Sequence, residues 1–239
     1  RLVARLESDD FLHWRNNGLM LRSRVSEGRG SQSYCMPVFQ HAGLYLGYLM
    51  MYNVGNGRTV DCELVWSPDG LKWQRVAPGV PLIPRGPKGS YDSECIYAMA
   101  GAPVIRDGKH LLFYGGDDFP HTGWKRHCLP CLATLREDGF AGYEPSKEGE
   151  TAVLTTRRLR VTSEPFRVIA DGDAVEITAM DEAGQKVEKA SWAGKTLRFR
   201  ISIPRGKIYG LEGVALVDRN LPPEVNPLKS ADWKPQPVN

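Results

Sequence analysis

The stretch Ser8-Asp9-Asp10-Phe11-Leu12-His13-Trp14 has a close counterpart later in the chain, Ser67-Pro68-Asp69-Gly70-Leu71-Lys72-Trp73. Both fit the pattern S-x-D-x-x-x-W, and each follows a run of alternating residues that is typical of a strand. Ser and Asp side chains hydrogen-bond the backbone of tight turns, and a Trp after the turn packs between neighbouring sheets. The repetition therefore predicts stacked sheet units of the kind that form propeller blades. Two unrelated turns that share residues are the alternative interpretation.

The residues after the first turn predict two successive four-stranded units. In the first unit, alternation and turn residues place strands at 36–41, 44–52, 59–66 and 73–76. The second unit repeats this order with strands at 102–105, 111–114, 128–135 and 140–143. The stretch 78–89 between the two units is rich in Pro and Gly, so it predicts a long crossing loop.

The character of the sequence changes after Tyr143. A polar stretch is followed by strands without the turn motif, predicted at 161–168, 174–180, 196–203 and 213–217. We therefore predict an all-β chain in three parts. These are propeller blades over 1–150, a small antiparallel β-sandwich over 151–220 and an extended tail over 221–239.

Composition excludes several classes of partner. The 239 residues are 25% charged and 41% hydrophobic, and the formal net charge is +3. No basic run alternates with aromatic residues, so we expect no nucleic acid partner. No segment approaches the roughly 20 apolar residues of a membrane-spanning helix, so we expect no membrane partner. Residues 1–7 resemble a strand rather than a signal peptide, and we expect that further blades precede them.

The cysteines are odd in number, and they are Cys35, Cys62, Cys95, Cys128 and Cys131. At least one cannot pair within the chain, so a full disulfide framework is not expected. His127 beside the C-x-x-C pair is compatible with a metal or redox site, but no second Cys pair completes four ligands. We predict no metal here and favour buried thiols or a local disulfide.

Blade topology predicts where functional side chains collect. In a four-stranded meander, the loops before the innermost strand and those between the second and third strands open on one face. On that face we place the candidate sugar-binding residues Tyr34, Asn53, Asp61, Asp117, Asp118, His121 and Trp124. Aromatic rings suit the apolar faces of sugars, and carboxylates and amides suit their hydroxyl groups. Asp9, Asp10 and Asp69 fall in turns on the opposite face, and we predict a structural role for them.

Three carboxylates on the same face are candidate catalytic residues: Glu94, Glu63 and Asp92. Cleavage of a glycosidic bond uses one carboxylic acid to protonate the leaving oxygen, and a second carboxylate to activate water or attack the anomeric carbon. Glu94 and Glu63 are candidates for the acid, and Asp92 for orienting the sugar or tuning a neighbour. We expect all three, with Asp117, to face one shared depression. Acidic residues that merely cap turns or stay solvated are the alternative.

Several strings resemble the five-bladed propeller superfamily that contains glycoside hydrolase families 32 and 43. They are E-S-D-D-F-L-H-W, M-P-V-F-x-x-x-G-L-Y-L-G, V-D-C-E-L-V-W-S-P-D-G-x-x-W and D-S-x-x-x-Y…P-V…L-x-F-Y-G-G. More closely, residues 1–218 are similar to bacterial hydrolase-like proteins in which such a propeller precedes a β-sandwich. The resemblance implies that this chain carries part of a five-bladed propeller.

The resemblance also implies a role for one residue. Glu94-Cys95 resembles the Glu-Cys motif that holds the general acid of family 32, although Ile96-Tyr97 follows where Pro and an acidic residue are expected. The W-x-N-D-P-N motif of that family's general base has no match in this sequence. Glu94 is therefore the predicted proton donor, and the base is expected upstream.

These observations together predict a glycoside hydrolase-like protein that cleaves or recognises a glycosidic linkage in an oligo- or polysaccharide. Its expected partner is a carbohydrate and its expected location is secreted or periplasmic. No organic cofactor is implied, and a structural cation in the propeller channel is left open. The missing N-terminal blades or a homo-oligomer partner would complete the ring. A non-catalytic carbohydrate-binding propeller is the first alternative, and a protein-binding propeller is the second.

Overall fold

A computed structural model describes residues 1–21, 30–218 and 220 of the chain. These residues form β-strands and one short 3₁₀ turn, Lys189–Ser191, without any α-helix. The all-β prediction is therefore confirmed. No helix in this part of the chain is long and apolar enough to cross a membrane.

The chain separates into two compact units, residues 1–135 and 136–220. The second unit thus begins upstream of the predicted boundary at residue 150. The predicted tail, 221–239, lies outside the described residues. The predicted domain division stays a prediction.

The first unit contains twelve described strands, and the last of them ends at the division between the two units. They are β1 (Val3–Glu7), β2 (Arg15–Leu21), β3 (Ser31–Cys35), β4 (Val38–His41), β5 (Leu44–Asn53), β6 (Thr59–Ser67), β7 (Gln74–Arg75), β8 (Pro81–Ile83), β9 (Cys95–Ala98), β10 (Val104–Arg106), β11 (Lys109–Asp117) and β12 (Leu129–Arg136).

The pairing of these strands follows the predicted repeat. β1 and β2 form a hairpin, while β3 and β4 both pair with β5, β5 pairs with β6, and β6 pairs with β7 and β8. In the same way β9 and β10 both pair with β11, which pairs with β12. Two antiparallel meanders result, and a single parallel pairing of Val60 with Cys95 joins them.

The two copies of the turn motif have the same hydrogen bonds. Ser8 Oγ accepts from the amide three residues later at 2.8 Å, and Ser67 Oγ does so at 2.7 Å. Asp10 Oδ1 accepts from the amides two and three residues later at 2.9 and 2.8 Å, and Asp69 Oδ1 does so at 2.8 and 3.0 Å. The first turn joins β1 to β2 and the second joins β6 to β7. The shared motif therefore specifies a shared turn, and the structural role predicted for Asp10 and Asp69 is confirmed.

The two tryptophans of the motif form the same side-chain hydrogen bond but differ in how far their rings are buried. Trp14 Nε1 donates to the Phe11 carbonyl at 3.2 Å, and Trp73 Nε1 donates to the Gly70 carbonyl at 3.1 Å. Trp73 is partly buried against a cluster that includes Leu49. Trp14 is 50% exposed, so the expectation that both rings are buried is wrong for Trp14. Among the described residues, β1 and β2 pair only with each other.

The core of the first unit lies on both faces of the first meander. Because side chains alternate along a strand, neighbouring residues of β5 and β6 enter different clusters. One cluster consists of Leu49, Met51 and Val65, and the other of Met50, Tyr52, Val60 and Cys95. Each fully buried aliphatic side chain of this kind contributes roughly 1.5–3 kcal/mol relative to exposure. Asp61 and Glu63 have the same parity as Val65 and so share the first face.

The second unit also consists of strands. They are β13 (Ala152–Thr155), β14 (Leu159–Val161), β15 (Arg167–Gly172), β16 (Glu176–Met180), β17 (Lys186–Val187), β18 (Thr196–Ile203), β19 (Gly206–Glu212) and β20 (Val214–Leu216).

In this unit a six-stranded sheet and the β15–β19 pair share one apolar core. Phe199, Ile201 and Ile203 on one face of β18 are fully buried in it, and Ile208 reaches it from β19. The prediction of a strand over 196–203 is confirmed.

Some sequence expectations do not hold in detail. The predicted strand at 140–143 is reduced to one isolated pairing of Tyr143 with Ile208. The predicted loop at 78–89 contains the short strand β8. All five cysteines are free, and Cys128 is exposed. The local disulfide is therefore not formed, and the expectation of a buried thiol is wrong for Cys128.

Candidate functional site

The strands of the two meanders bring their loops together at one end. β3 begins where β5 ends, since Ser31 pairs with Asn53. β9 begins where β11 ends, since Asp117 pairs with Cys95. The parallel pairing of Val60 with Cys95 places the two meanders side by side at this same end. We call it the loop end, and it carries the predicted site residues.

An aromatic cluster around His121 lies at the loop end. It is on the face of the first meander that carries Met50, Tyr52 and Val60. This His121 cluster consists of Tyr34, Tyr52, Tyr97, His121 and Arg126. The edges of the Tyr34 and Tyr52 rings meet the imidazole with centroid distances of 4.7 Å each. Tyr34 and Tyr97 also pack on the core cluster that contains Tyr52. Two predicted sugar-binding residues, Tyr34 and His121, are thus brought into contact.

A chain of hydrogen bonds fixes the state of the imidazole. Arg126 Nη2 donates to the Tyr97 hydroxyl oxygen at 2.8 Å. Burial raises the pKa of Tyr97, so its hydroxyl group keeps its proton. That hydroxyl lies 2.7 Å from His121 Nδ1. When that hydroxyl donates to Nδ1, the neutral imidazole carries its own proton on Nε2.

The charge around His121 keeps the ring neutral. Burial lowers the pKa of His121 below its ordinary value of 6.5, and the guanidinium groups of Arg126 and Arg1 lower it further. Asp117 opposes this effect. At neutral pH the ring therefore presents an uncharged N–H donor, which suits a hydroxyl group or an anion.

Asp117 supports this cluster from a fully buried position. Its carboxylate accepts from Arg126 Nε at 2.7 Å and from the Phe119 amide at 3.1 Å. Its carbonyl accepts from the Glu94 amide at 3.0 Å. The side chain of Asp117 thus orients Arg126 and is shielded from solvent.

Glu63 forms a buried ion pair on the opposite face. Arg75 donates to both of its carboxylate oxygens at 2.7 and 2.6 Å, and the Gly79 amide donates at 3.0 Å. Both side chains are almost fully buried. These contacts occupy the carboxylate and tie β6 to the outer edge of the meander.

Asn53 and Asp61 form a second polar group on that face. Asn53 Nδ2 donates to Asp61 Oδ2 at 2.7 Å, and Arg85 Nε donates to Asp61 Oδ1 at 2.7 Å. Arg85 also donates to the Ser93 carbonyl at 3.2 Å. Asn53, Asp61 and Glu63 line one small pocket of about 130 Å³.

Asp92 is buried in a third location. It accepts from Ser90 Oγ at 2.8 Å and from the Tyr114 hydroxyl at 2.9 Å. Burial and then the Asp92 hydrogen bond raise the pKa of Tyr114, which keeps it a donor. A Cβ at Gly86 would lie 2.1 Å from the carboxylate, so the position beside Asp92 requires glycine.

The remaining predicted residues are more accessible. Glu94 is half-buried, and its carboxylate has no hydrogen bond or ion pair with any residue that the structure describes. Asp118 lies 3.0 Å from His127 Nδ1 at the surface. Trp124 is fully exposed.

Glu63 does not share a face with Asp117. Glu63 shares a face with Val65, whereas Asp117 is bound to Arg126, whose partner Tyr97 packs on the other face. The expectation that all four carboxylates face one shared depression is therefore wrong for Glu63. The catalytic and sugar-binding roles of the individual residues stay predictions.

Sequence reasoning missed the basic and phenolic partners in these groups: Tyr52, Arg75, Arg85, Tyr97, Tyr114 and Arg126. A signal existed for Tyr97, which lies two positions after Cys95 and therefore shares its face of β9. No sequence signal indicated the contacts of the arginines, because a long flexible side chain can reach several neighbours from one position.

Comparisons with known proteins give limited likeness. No protein family profile matches the chain, and no curated protein matches it. Zg3597, a family 117 glycoside hydrolase from the marine bacterium Zobellia galactanivorans, is similar in structure with a TM-score of 0.43 and 18% identity, over 56% of this chain and 38% of that one. BT0996, in a structure described as an RGII complex, has a TM-score of 0.36 and 18% identity, over 42% and 32%. The chain thus spans well under half the length of either protein.

Proposed function

We propose that this chain is part of a five-bladed propeller protein of the glycoside hydrolase type, and that it acts on a carbohydrate at the loop end. Glu94 is the proton donor in this proposal. The Tyr34 and His121 side chains contact the sugar, and Trp124 offers it an exposed aromatic face.

The repeated turn supports the propeller. Both copies of the motif join consecutive antiparallel strands and have matching hydrogen bonds. Radial repetition of four-stranded meanders with all functional loops at one end is the arrangement of propeller blades. Glycosidases of this architecture bind sugar at the loops around the channel, as the resemblance implies.

The state of Glu94 is the observation that carries the catalytic role. Its amide donates to the Asp117 carbonyl at 3.0 Å and its carbonyl accepts from the Val60 amide at 3.1 Å. The backbone is thus held at the point where the meanders meet. The Glu94 carboxylate forms no hydrogen bond or ion pair with any described residue. The carboxylates of Glu63, Asp92 and Asp117 each accept hydrogen bonds from neighbouring side chains. A general acid needs this combination of a fixed position and a free carboxyl group.

One observation favours a second candidate, a carbohydrate-binding propeller without catalysis. Hydrolysis of either stereochemistry needs a second carboxylate. The Glu63 carboxylate accepts hydrogen bonds from Arg75. The Asp92 carboxylate accepts hydrogen bonds from Tyr114 and Ser90. The described residues of the candidate set therefore supply an acid without a matching base.

The experiment compares Glu94→Gln with the surface control Glu148→Gln. Binding of an oligosaccharide panel is measured by calorimetry, and turnover is measured on a natural glycan and on an activated aryl glycoside. We expect Glu94→Gln to lower turnover of the natural glycan roughly 10²–10⁴-fold while binding is kept, because the amide cannot donate the proton. The aryl glycoside needs less protonation, so its loss is smaller.

Three other outcomes are informative. Binding without turnover in a protein that includes the expected upstream blades selects the second candidate. Equal losses on both substrates, or no loss, remove Glu94 from the acid role. If no glycan is bound or cleaved, the carbohydrate proposal is wrong.

A further inference from the structure

Two guanidinium groups that have no acidic partner among the described residues border the His121 cluster. The Arg1 guanidinium lies over the Tyr34 ring at 4.5 Å and over the Tyr52 ring at 5.5 Å. Arg58 Nη1 donates to Thr122 Oγ1 at 3.2 Å. Neither arginine forms an ion pair with a residue in the described ranges. Both side chains are exposed and therefore available to a ligand.

The backbone holds Arg58 in place beside His121. Its amide donates to the Asn53 carbonyl at 3.0 Å, and its carbonyl accepts from the His121 amide at 2.9 Å. Its φ is 60°, in the left-handed region that non-glycine residues rarely adopt. Residues held in such conformations collect at binding sites, where the surrounding structure over-determines them.

The three aspartates nearby are each paired with another group, whereas the Glu94 carboxylate has no partner among the described residues. Asp117 is bound to Arg126, and Asp61 is bound to Arg85. Asp118 pairs with His127. Burial is the largest cause that lowers the pKa of His121, and the guanidinium groups of Arg126 and Arg1 lower it further while Asp117 opposes them.

We propose that the glycan bound at the loop end is acidic, with a carboxylate or sulfate group held by Arg1 and Arg58. The inference rests on the proposed function and specifies its substrate class. The forked, permanently charged guanidinium matches the geometry of such oxyanions. Arg1 is already stacked on two tyrosine rings, so little of its freedom is lost on binding. The neutral Nε2–H of His121 supplies a further donor.

The test uses charged ligands beside their uncharged partners. Oligogalacturonate is compared with its methyl ester, and a sulfated galactan oligosaccharide with its desulfated form, by calorimetry at two salt concentrations. We expect at least one charged member to bind about tenfold or more tightly than its partner, since a hydrogen-bonded charge contributes on that order. That advantage should shrink at higher salt. The ligand pair that shows this preference indicates whether the site binds a carboxylate or a sulfate group.

Arg58→Gln and Arg1→Gln test the residues. Each is expected to weaken the charged ligand about tenfold and to leave the neutral partner unchanged. Arg106→Gln is the matched control, because it removes the same charge from the β10–β11 hairpin at the opposite end of β11. It should change neither affinity.

The possible failures separate the two proposals. If neutral glycans bind as well as charged ones, or if Arg58→Gln and Arg1→Gln behave like Arg106→Gln, the acidic substrate is wrong and the carbohydrate function stands. If no glycan of either kind is bound, both proposals are wrong.

Discussion

At the scale of single residues, the Tyr97 hydroxyl decides what His121 can offer a ligand. Arg126 donates to that hydroxyl at 2.8 Å, and the hydroxyl lies 2.7 Å from Nδ1. Burial and two nearby guanidinium groups then keep the imidazole neutral. The result is a fixed N–H donor flanked by the Tyr34 and Tyr52 rings. Burial and the local charge thus set the protonation state of this ring.

This state of His121 predicts how stability depends on pH. Its pKa is lower in the folded chain than its ordinary value of 6.5, so the unfolded chain binds more protons below that pH. The free energy of unfolding should therefore fall as the pH drops from 6.5 toward the folded-state pKa. Arg126 and Arg1 cause this loss together with burial, and Asp117 moderates it.

Chemical denaturation across this pH range checks the prediction. His121→Gln should flatten the dependence because the titrating group is gone. His127→Gln changes an exposed imidazole nearby and should keep the slope of the unaltered protein. An unchanged slope in His121→Gln contradicts the account.

At the scale of elements, the first meander is held at its outer edge by a buried ion pair. β7 has only two residues, so few ladder hydrogen bonds connect it to β6. Arg75 on β7 and Glu63 on β6 add a paired contact that excludes water. The two charges depend on each other, because removal of either one leaves the other buried without its oppositely charged partner.

Replacing one partner should therefore cost more than replacing both. We expect Arg75→Met to lower the free energy of unfolding by about 3 kcal/mol or more, since it strands the Glu63 carboxylate. The double variant Arg75→Met/Glu63→Leu should recover most of this loss. Denaturant unfolding measures both, and equal losses in the single and double variants would show that the pair is not coupled.

Elements differ in how far their sequence determines them. The strand at 59–66 was predictable because alternation and the Ser67–Trp73 turn agree, and β6 spans Thr59–Ser67. β8 was missed because Pro and Gly dominate its surroundings, while its short pairing depends on β6. The predicted strand at 140–143 failed because alternation was present without a partner strand to pair with along its length. Local pattern thus fixes long strands, and tertiary pairing decides the short ones.

The sequence predicted where in the fold the candidate site lies, but not which side chains contact one another there. Meander topology placed Tyr34, Asn53 and His121 at the loop end, where they lie. It did not predict that Asp61 and Glu63 would face away from the His121 cluster, because that depends on the parity of each residue along β6. Nor did it predict which arginine reaches which carboxylate.

At the scale of the whole molecule, meander topology explains why the polar groups gather at one end. The S-x-D-x-x-x-W turn after β6 lies at the end of the first meander where Ser67 pairs with Tyr45, and the loop end lies where Asn53 pairs with Thr59. The hydrogen-bonded turn and the loop end are therefore separated in space. The first supports the fold, and the second is free to carry binding residues. The proposed carbohydrate site follows from this division.

The most direct test of the account is site-resolved NMR of histidine side chains during titration with the tightest-binding oligosaccharide of the panel. His121 lies at the loop end, and His13 lies in the turn between β1 and β2. The account predicts that the His121 resonances shift in a saturable manner with ligand concentration while those of His13 stay in place. Shifts of His13 with an unmoved His121, or no saturable shift of either, would contradict it.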